Sequence, residues 1–137
     1  MSDKKEVRVL IADDSPTVVR FAKKYIQKLN YTLIGVAKNG QEAVEITKDQ
    51  KPDLLLLDIN MPIMTGDKAL KKIMDCCPET VVIMMTSVSD AGVVEKCLDL
   101  GASNFIDLGA SNFIVKHTDY NEIITTIKET WEMNSFD

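Results

Sequence analysis

The sequence predicts an α/β fold, a doubly wound parallel sheet of five strands with helices on both faces. Strand-like and helix-like segments alternate along the chain with short connections. The run Leu54-Leu55-Leu56-Leu57 is apolar at every position, as expected of a central strand covered on both faces. A chain of 137 residues with 45% hydrophobic content suits one domain with a substantial core.

The first half of the chain supplies three strands and two helices, and strands are predicted over 7–12, 31–37 and 53–58. Ser15 is a suitable N-cap with Pro16 at the first helical position, so a helix is expected to about Leu29. Asn39-Gly40 turns into a second helix over 41–50, which ends before Pro52.

The second half continues the alternation. Helices are predicted over 67–77, ended by Pro78, and over 91–100, with a fourth strand over 81–86 between them. Asp119 and Glu122 resemble a capping box that opens a last helix to about Met133. Alternation of this kind implies parallel strands joined by right-handed crossovers, with ligands at the carboxyl ends of the strands.

Composition excludes several classes of protein. With 16 basic and 21 acidic residues the formal charge is −5, which argues against nucleic acid as a direct partner. No apolar run has the length of a signal peptide or a membrane span, so we expect a cytoplasmic protein without membrane insertion. The three cysteines indicate neither a disulfide framework nor a structural metal site, and Cys76-Cys77 is expected to pack as small buried apolar side chains.

Polar residues follow several predicted strands and should meet at one edge of the sheet: Asp13, Asp14, Asp58, Thr86 and Lys116. Taken singly, the aspartates suit a solvated loop or a backbone cap. Three carboxylates packed together repel one another unless a cation joins them, and an all-oxygen site suits Mg²⁺. A lysine and a hydroxyl beside the metal fit a phosphoryl group passing onto Asp58, which would then be a nucleophile.

The residues Asp13-Asp14, Asp58-Ile59-Asn60-Met61-Pro62, Gly66, Thr86 and Lys116 together resemble the receiver domain of two-component response regulators, most closely the stand-alone chemotaxis type. The resemblance runs over about 7–133 and implies a single domain over 1–137. It also implies the flavodoxin-like strand order 2-1-3-4-5. A phosphoacceptor in a phosphorelay, and not an enzyme, is the function that it implies.

The resemblance also implies roles for individual residues. Asp58 would accept phosphate from a histidine kinase, while Asp14, Asp58 and the backbone carbonyl of Asn60 would hold Mg²⁺ and Asp13 would act through water. Thr86 and Lys116 would bind the phosphoryl oxygens. Phe113 would change rotamer and remodel the face built from the fourth helix, fifth strand and last helix, where a downstream protein target binds.

Two further positions bear on how long the phosphoryl group lasts. In the family this lifetime depends on the residues two beyond the aspartate and two beyond the threonine, here Asn60 and Val88. Because Val88 has no charge to orient an attacking water, slow self-hydrolysis is expected. The family usually has proline after the lysine, whereas this chain has His117, so we expect a trans Lys116–His117 bond and a less well placed lysine.

The octamer Asp-Leu-Gly-Ala-Ser-Asn-Phe-Ile occurs at 99–106 and again, without change, at 107–114. The second copy leads directly into Lys116, so it is expected to form strand five, leaving an insertion between the fourth helix and that strand. A bulged loop or partial helix keeps the chain a compact monomer, whereas a long helix would give a domain-swapped dimer. The insertion falls in the output face, so altered partner binding is expected.

Two other functions share parts of this pattern. A small Mg²⁺-dependent phosphohydrolase also uses an aspartyl nucleophile, but it usually has a DxD arrangement and a substrate-capping insertion. A flavodoxin-like cofactor binder needs a hydroxyl- and glycine-rich phosphate loop after strand one, where this chain has Asp13-Asp14.

Light scattering during size-exclusion chromatography tests the arrangement of the repeat. We expect one species with the mass of a single chain at all loading concentrations, because a bulge or partial helix keeps strand five in its own sheet. A species of twice that mass, retained on dilution, would support the domain swap instead.

Overall fold

The computed structural model describes residues 6–86, 112–115 and 119–134. Strands and helices alternate along the first part of the chain. They are β1 (Arg8–Ala12), α1 (Pro16–Lys28), β2 (Thr32–Ala37), α2 (Gly40–Gln50), β3 (Leu54–Asp58), α3 (Gly66–Cys76) and β4 (Val81–Thr86). Further along the chain, β5 (Asn112–Val115) joins the sheet, and the C-terminal helix covers Tyr120–Asn134.

The strands form one parallel sheet in the order β2-β1-β3-β4-β5. In its register, Ala12 of β1 lies opposite Leu57 of β3, and Asp58 lies opposite Met85 of β4. The predicted α/β class with a parallel sheet is confirmed. β5 comes from the second copy of the octamer together with Val115, and Val115 pairs with Thr86.

The core has two layers because β3 is covered on both faces. Leu55 and Leu57 belong to the layer under α2 and α3, which also contains Leu70 and Ile73. Leu54 and Leu56 belong to the opposite layer, which α1 and the C-terminal helix cover. All four leucines are at most 1% exposed, and their alternation follows from the two-residue period of a strand.

The helix starts follow from the capping residues. Ser15 Oγ accepts a hydrogen bond from the Val18 amide at 3.4 Å, and Asn39 Oδ1 accepts one from the Glu42 amide at 2.8 Å. The Asp119 carboxylate accepts bonds from the Asn121 and Glu122 amides at 3.1 and 3.4 Å. The caps predicted at Ser15 and Asp119 are confirmed, and Asn39, predicted only as part of a turn, caps α2 in the same way. Each of the three satisfies backbone donors that the helix itself cannot.

Several predictions fall outside the described residues. They are the helix over 91–100, the first copy of the octamer, Val88, Lys116 and the Lys116–His117 bond. Among the helices that the structure does describe, none is long and apolar enough to cross a membrane.

Candidate functional site

The candidate site lies where β1 and β3 end. Asp13 follows the last residue of β1, and Asp58 is the last residue of β3. Because the two strands are hydrogen-bonded neighbours, their carboxyl ends are adjacent. Thr86 ends β4, the neighbour of β3 on its other side, and its backbone lies at the same edge of the sheet.

Three carboxylates meet at this edge. One oxygen from each of Asp13, Asp14 and Asp58 lies within 4.8 Å of the other two. Asp13 is 3% exposed and Asp58 is 2% exposed, whereas Asp14 lies at the surface. The site is therefore a pair of buried carboxylates with a third that closes it toward solvent.

Hydrogen bonds hold Asp13 in place. Its amide donates to the Ala37 carbonyl at 2.9 Å, which ties it to the end of β2. Its Oδ1 accepts a bond from the Ser15 amide at 2.9 Å, one residue before α1 begins. The same carboxylate thus belongs to the acidic cluster and organises the turn that starts α1.

The loop between β3 and α3 fixes the other side of the site. The Ile59 amide donates to the Met85 carbonyl at 3.2 Å, and the Gly66 amide donates to the Ile59 carbonyl at 2.8 Å. A Cβ on Gly66 would collide with the Asp58 carbonyl oxygen and lie 2.9 Å from Ile59 Cα. Only glycine allows α3 to begin this close to the backbone of Asp58.

A second glycine supports the middle of this loop. The Gly40 amide, at the start of α2, donates to the Met64 carbonyl at 3.0 Å, and a Cβ there would collide with the same carbonyl. The sequence suggested a turn at Asn39-Gly40 but not this contact, because residues 40 and 64 meet only through tertiary packing.

Ile63, in the same loop, has a positive φ of 69° and is 77% exposed. A β-branched residue rarely adopts this conformation, which costs on the order of 1–2 kcal/mol. The Met64 amide donates to the Pro62 carbonyl at 2.7 Å, so a three-residue turn centred on Ile63 holds this conformation. Nothing in the sequence singled out this turn.

The other predicted site residues are only partly described. Asn60 follows Ile59 in the loop and is exposed. Phe113 lies in β5 opposite Met84 of β4. Lys116 and Val88 lie outside the described residues.

A shallow basic groove adjoins the acidic cluster. Asp13 and Asp14 share its walls with Arg20 and Lys23 of α1 and with Lys38. Negative charge is therefore concentrated at the strand ends, with positive charge beside it. An all-oxygen donor set suits a hard divalent cation such as Mg²⁺, and the flanking cations favour a ligand with anionic oxygens.

Comparison with known proteins supports this description of the fold. The model of the family described as "Response regulator receiver domain" matches residues 9–128. The chemotaxis protein CheY of Thermotoga maritima is 39% identical over 99 residues, which cover 72% of this chain and 82% of that protein. The solved response regulator domain of Thermotoga maritima CheB has a TM-score of 0.76 and 31% identity, with 97% of this chain and 99% of that domain covered.

A longer relative matches over more of the chain. The protein-glutamate methylesterase/protein-glutamine glutaminase of Methanococcoides burtonii is 34% identical over 131 residues. These residues are 93% of this chain but only 37% of that protein. The similarity therefore extends to little more than a third of the methylesterase.

Substitution of Gly66 by alanine tests the loop packing. We expect Gly66→Ala to lower the free energy of unfolding by about 1–3 kcal/mol, because the new methyl group displaces the Asp58 backbone. Gly35→Ala is the matched control, since its Cβ would meet only Leu10 Cδ1 at 3.7 Å. Urea unfolding measures both, and equal stabilities of the two variants would contradict the proposed clash.

Proposed function

Because this chain belongs to the response regulator receiver domain family, we propose that it is a phosphoacceptor in two-component signalling, with Asp58 as the residue phosphorylated by a histidine kinase. The observation that carries the proposal is the meeting of Asp13, Asp14 and Asp58 within 4.8 Å at the end of the central strands. This cluster explains why a buried strand ends in a carboxylate.

A bound Mg²⁺ is part of this proposal. Asp13, Asp14, Asp58 and the backbone carbonyl of Asn60 are the groups that would hold it, with Asp13 acting through water. When bound, the ion offsets the repulsion among the carboxylates and neutralises charge on the phosphoryl oxygens. The all-oxygen donor set supports this choice of metal.

The fixation of the Asp58 backbone from both sides supports its proposed role as the nucleophile. β3 holds it within the sheet, and α3 begins against its carbonyl at Gly66. One carboxylate oxygen would form the new O–P bond while the N–P bond to the donor histidine breaks. The leaving imidazole keeps the electron pair of that bond and takes up a proton.

The remaining roles concern recognition and switching. Thr86 would donate its hydroxyl to a phosphoryl oxygen, and Lys116 would pair with the same group. Phe113 would couple phosphorylation to the output face, where a downstream protein target binds. The position of Thr86 at the end of β4, next to Met85 opposite Asp58, supports its part in this proposal.

The wider predictions complete the proposal. The chain would act as a single cytoplasmic receiver domain over 1–137 that contacts proteins and not nucleic acid. Its own chemistry would be limited to gaining and losing the phosphoryl group. Asn60 and Val88 would tune the rate of that loss, and Val88, which has no charge to orient an attacking water, would make it slow. The octamer repeat would alter the output face.

Phosphorylation tests the assignment of Asp58. Incubation with a small-molecule phosphodonor and Mg²⁺ should add the mass of one phosphoryl group to the intact chain, and Asp58→Asn should abolish the addition. Asp53→Asn is a matched control, because Asp53 lies just before β3, at the opposite end of the strand from Asp58. Its side chain accepts a hydrogen bond from the Arg8 amide at 2.9 Å, and the oxygen of asparagine can accept the same bond. Addition to Asp58→Asn at the wild-type level would refute the assignment.

Metal binding gives a separate test through Asp14. Asp14→Asn should weaken Mg²⁺ binding at least about tenfold in calorimetric titration, because it removes an exposed ligand without disturbing the core. Asp49→Asn makes the same change in net charge at the exposed end of α2 and should bind as wild type does. An equal loss in both variants would show that only general electrostatics are involved.

A further inference from the structure

Two adjacent thiols lie at the end of α3, away from the acidic cluster. Cys76 is the last residue of the helix and is exposed, whereas Cys77 follows it and is 3% exposed. Their sulfur atoms are 3.2 Å apart. The expectation that both cysteines are buried is therefore wrong for Cys76, which is the accessible member of a close pair.

Contacts with the fold hold both sulfurs. Cys77 Sγ lies 3.8 Å from the Thr47 carbonyl oxygen of α2, and Cys76 Sγ lies 3.6 Å from the Ile73 carbonyl oxygen. Cys77 also packs in the core layer under α2 and α3. The two side chains are thus directed toward each other before any ligand binds, which lowers the entropic cost of binding both at once.

We propose that Cys76 and Cys77 form a vicinal dithiol site for a thiophilic element that bonds two sulfurs at once, with trivalent arsenic as the class of ligand. An organoarsenic(III) oxide would form two As–S bonds as its bonds to oxygen break. The oxygen leaves as water with the two thiol protons, so no oxidant or reductant is needed. This site is independent of the proposed phosphoryl chemistry.

The backbone favours a bridging atom over a direct disulfide. No cis peptide bond occurs among the described residues, so the Cys76 and Cys77 Cα atoms are joined by a trans peptide. Such atoms lie about 3.8 Å apart, below the roughly 4.4–6.8 Å usual for a disulfide. One further atom between the sulfurs enlarges the ring and relieves this constraint.

The protonation of Cys77 agrees with the choice of ligand. Burial, together with the hydrogen bond to Cys76, raises the pKa of Cys77 to about 11, so this thiol is protonated at neutral pH. A metal ion that binds thiolates must displace that proton. In condensation with an arsenic(III) oxide, the Cys77 proton leaves with the oxygen as water.

Phenylarsine oxide is the probe for this site. The full-length chain should carry Cys97→Ser, which removes the third cysteine and leaves Cys76 and Cys77. Intact mass should then show one arsenical per chain and thiol titration should show both thiols blocked. The adduct should survive excess glutathione but be removed by a small dithiol.

Single-thiol variants provide the control. Cys76→Ser alters an exposed side chain and preserves the fold, and in the Cys97→Ser background it should lower retention of the arsenical against glutathione on the order of 100-fold. Cys77→Ala should do the same without burying a hydroxyl. Retention in the single-thiol variants equal to that of the chain with both thiols, or an adduct that forms only when Cys97 is present, would overturn the proposal. A decrease in intact mass by two hydrogens, without any arsenical adduct, would also overturn the proposal, because it would show that the two thiols had formed a disulfide.

Discussion

The candidate site depends on the burial of β3 from both sides. Its four leucines are shared between the two core layers, two facing α2 and α3 and two facing α1 and the C-terminal helix. A slip of one residue would exchange these two sets and misplace every side chain. The packing therefore fixes the register, and the register in turn places Asp58 beside the end of β1. Apolar packing is what holds the carboxylates together against their repulsion.

The loop that follows Asp58 leads directly into α3, so the acidic cluster and the start of α3 are connected through the backbone. Gly66 joins them by direct contact with the Asp58 backbone, and α3 then runs for 11 residues to Cys76. A helix of that length spans about 16 Å, which separates the acidic cluster from the dithiol pair. Substitutions at one end can thus be made without touching the other, although the helix between them is shared.

Local patterns in the sequence were sufficient to predict the described helices and strands and the meeting of the three carboxylates. The continuous apolar run identified β3, and the side chains of Ser15 and Asp119 identified helix starts, because a cap is a contact within a few residues. The collision that excludes a side chain at Gly40 had no such local cause. It depends on Met64, which is distant in sequence, and so it was not predicted. The positive φ of Ile63 is held by a local turn between Pro62 and Met64, but no residue pattern marked that turn.

Either copy of the octamer could in principle form β5, and the strand pairing shows which copy does so. The structure pairs β5 with β4 through residues of the second copy, with Val115 opposite Thr86. In sequence Lys116 is the next residue, so this pairing directs the chain toward the carboxyl edge where Asp58 of the same chain lies. The first copy in the same register would have put Asp107 opposite Thr86 and Leu108 after it. A further carboxylate beside three others would add repulsion, and a leucine would supply no charge to offset it. Electrostatics and strand pairing therefore favour the same copy, and the surplus eight residues fall in the connection between β4 and β5.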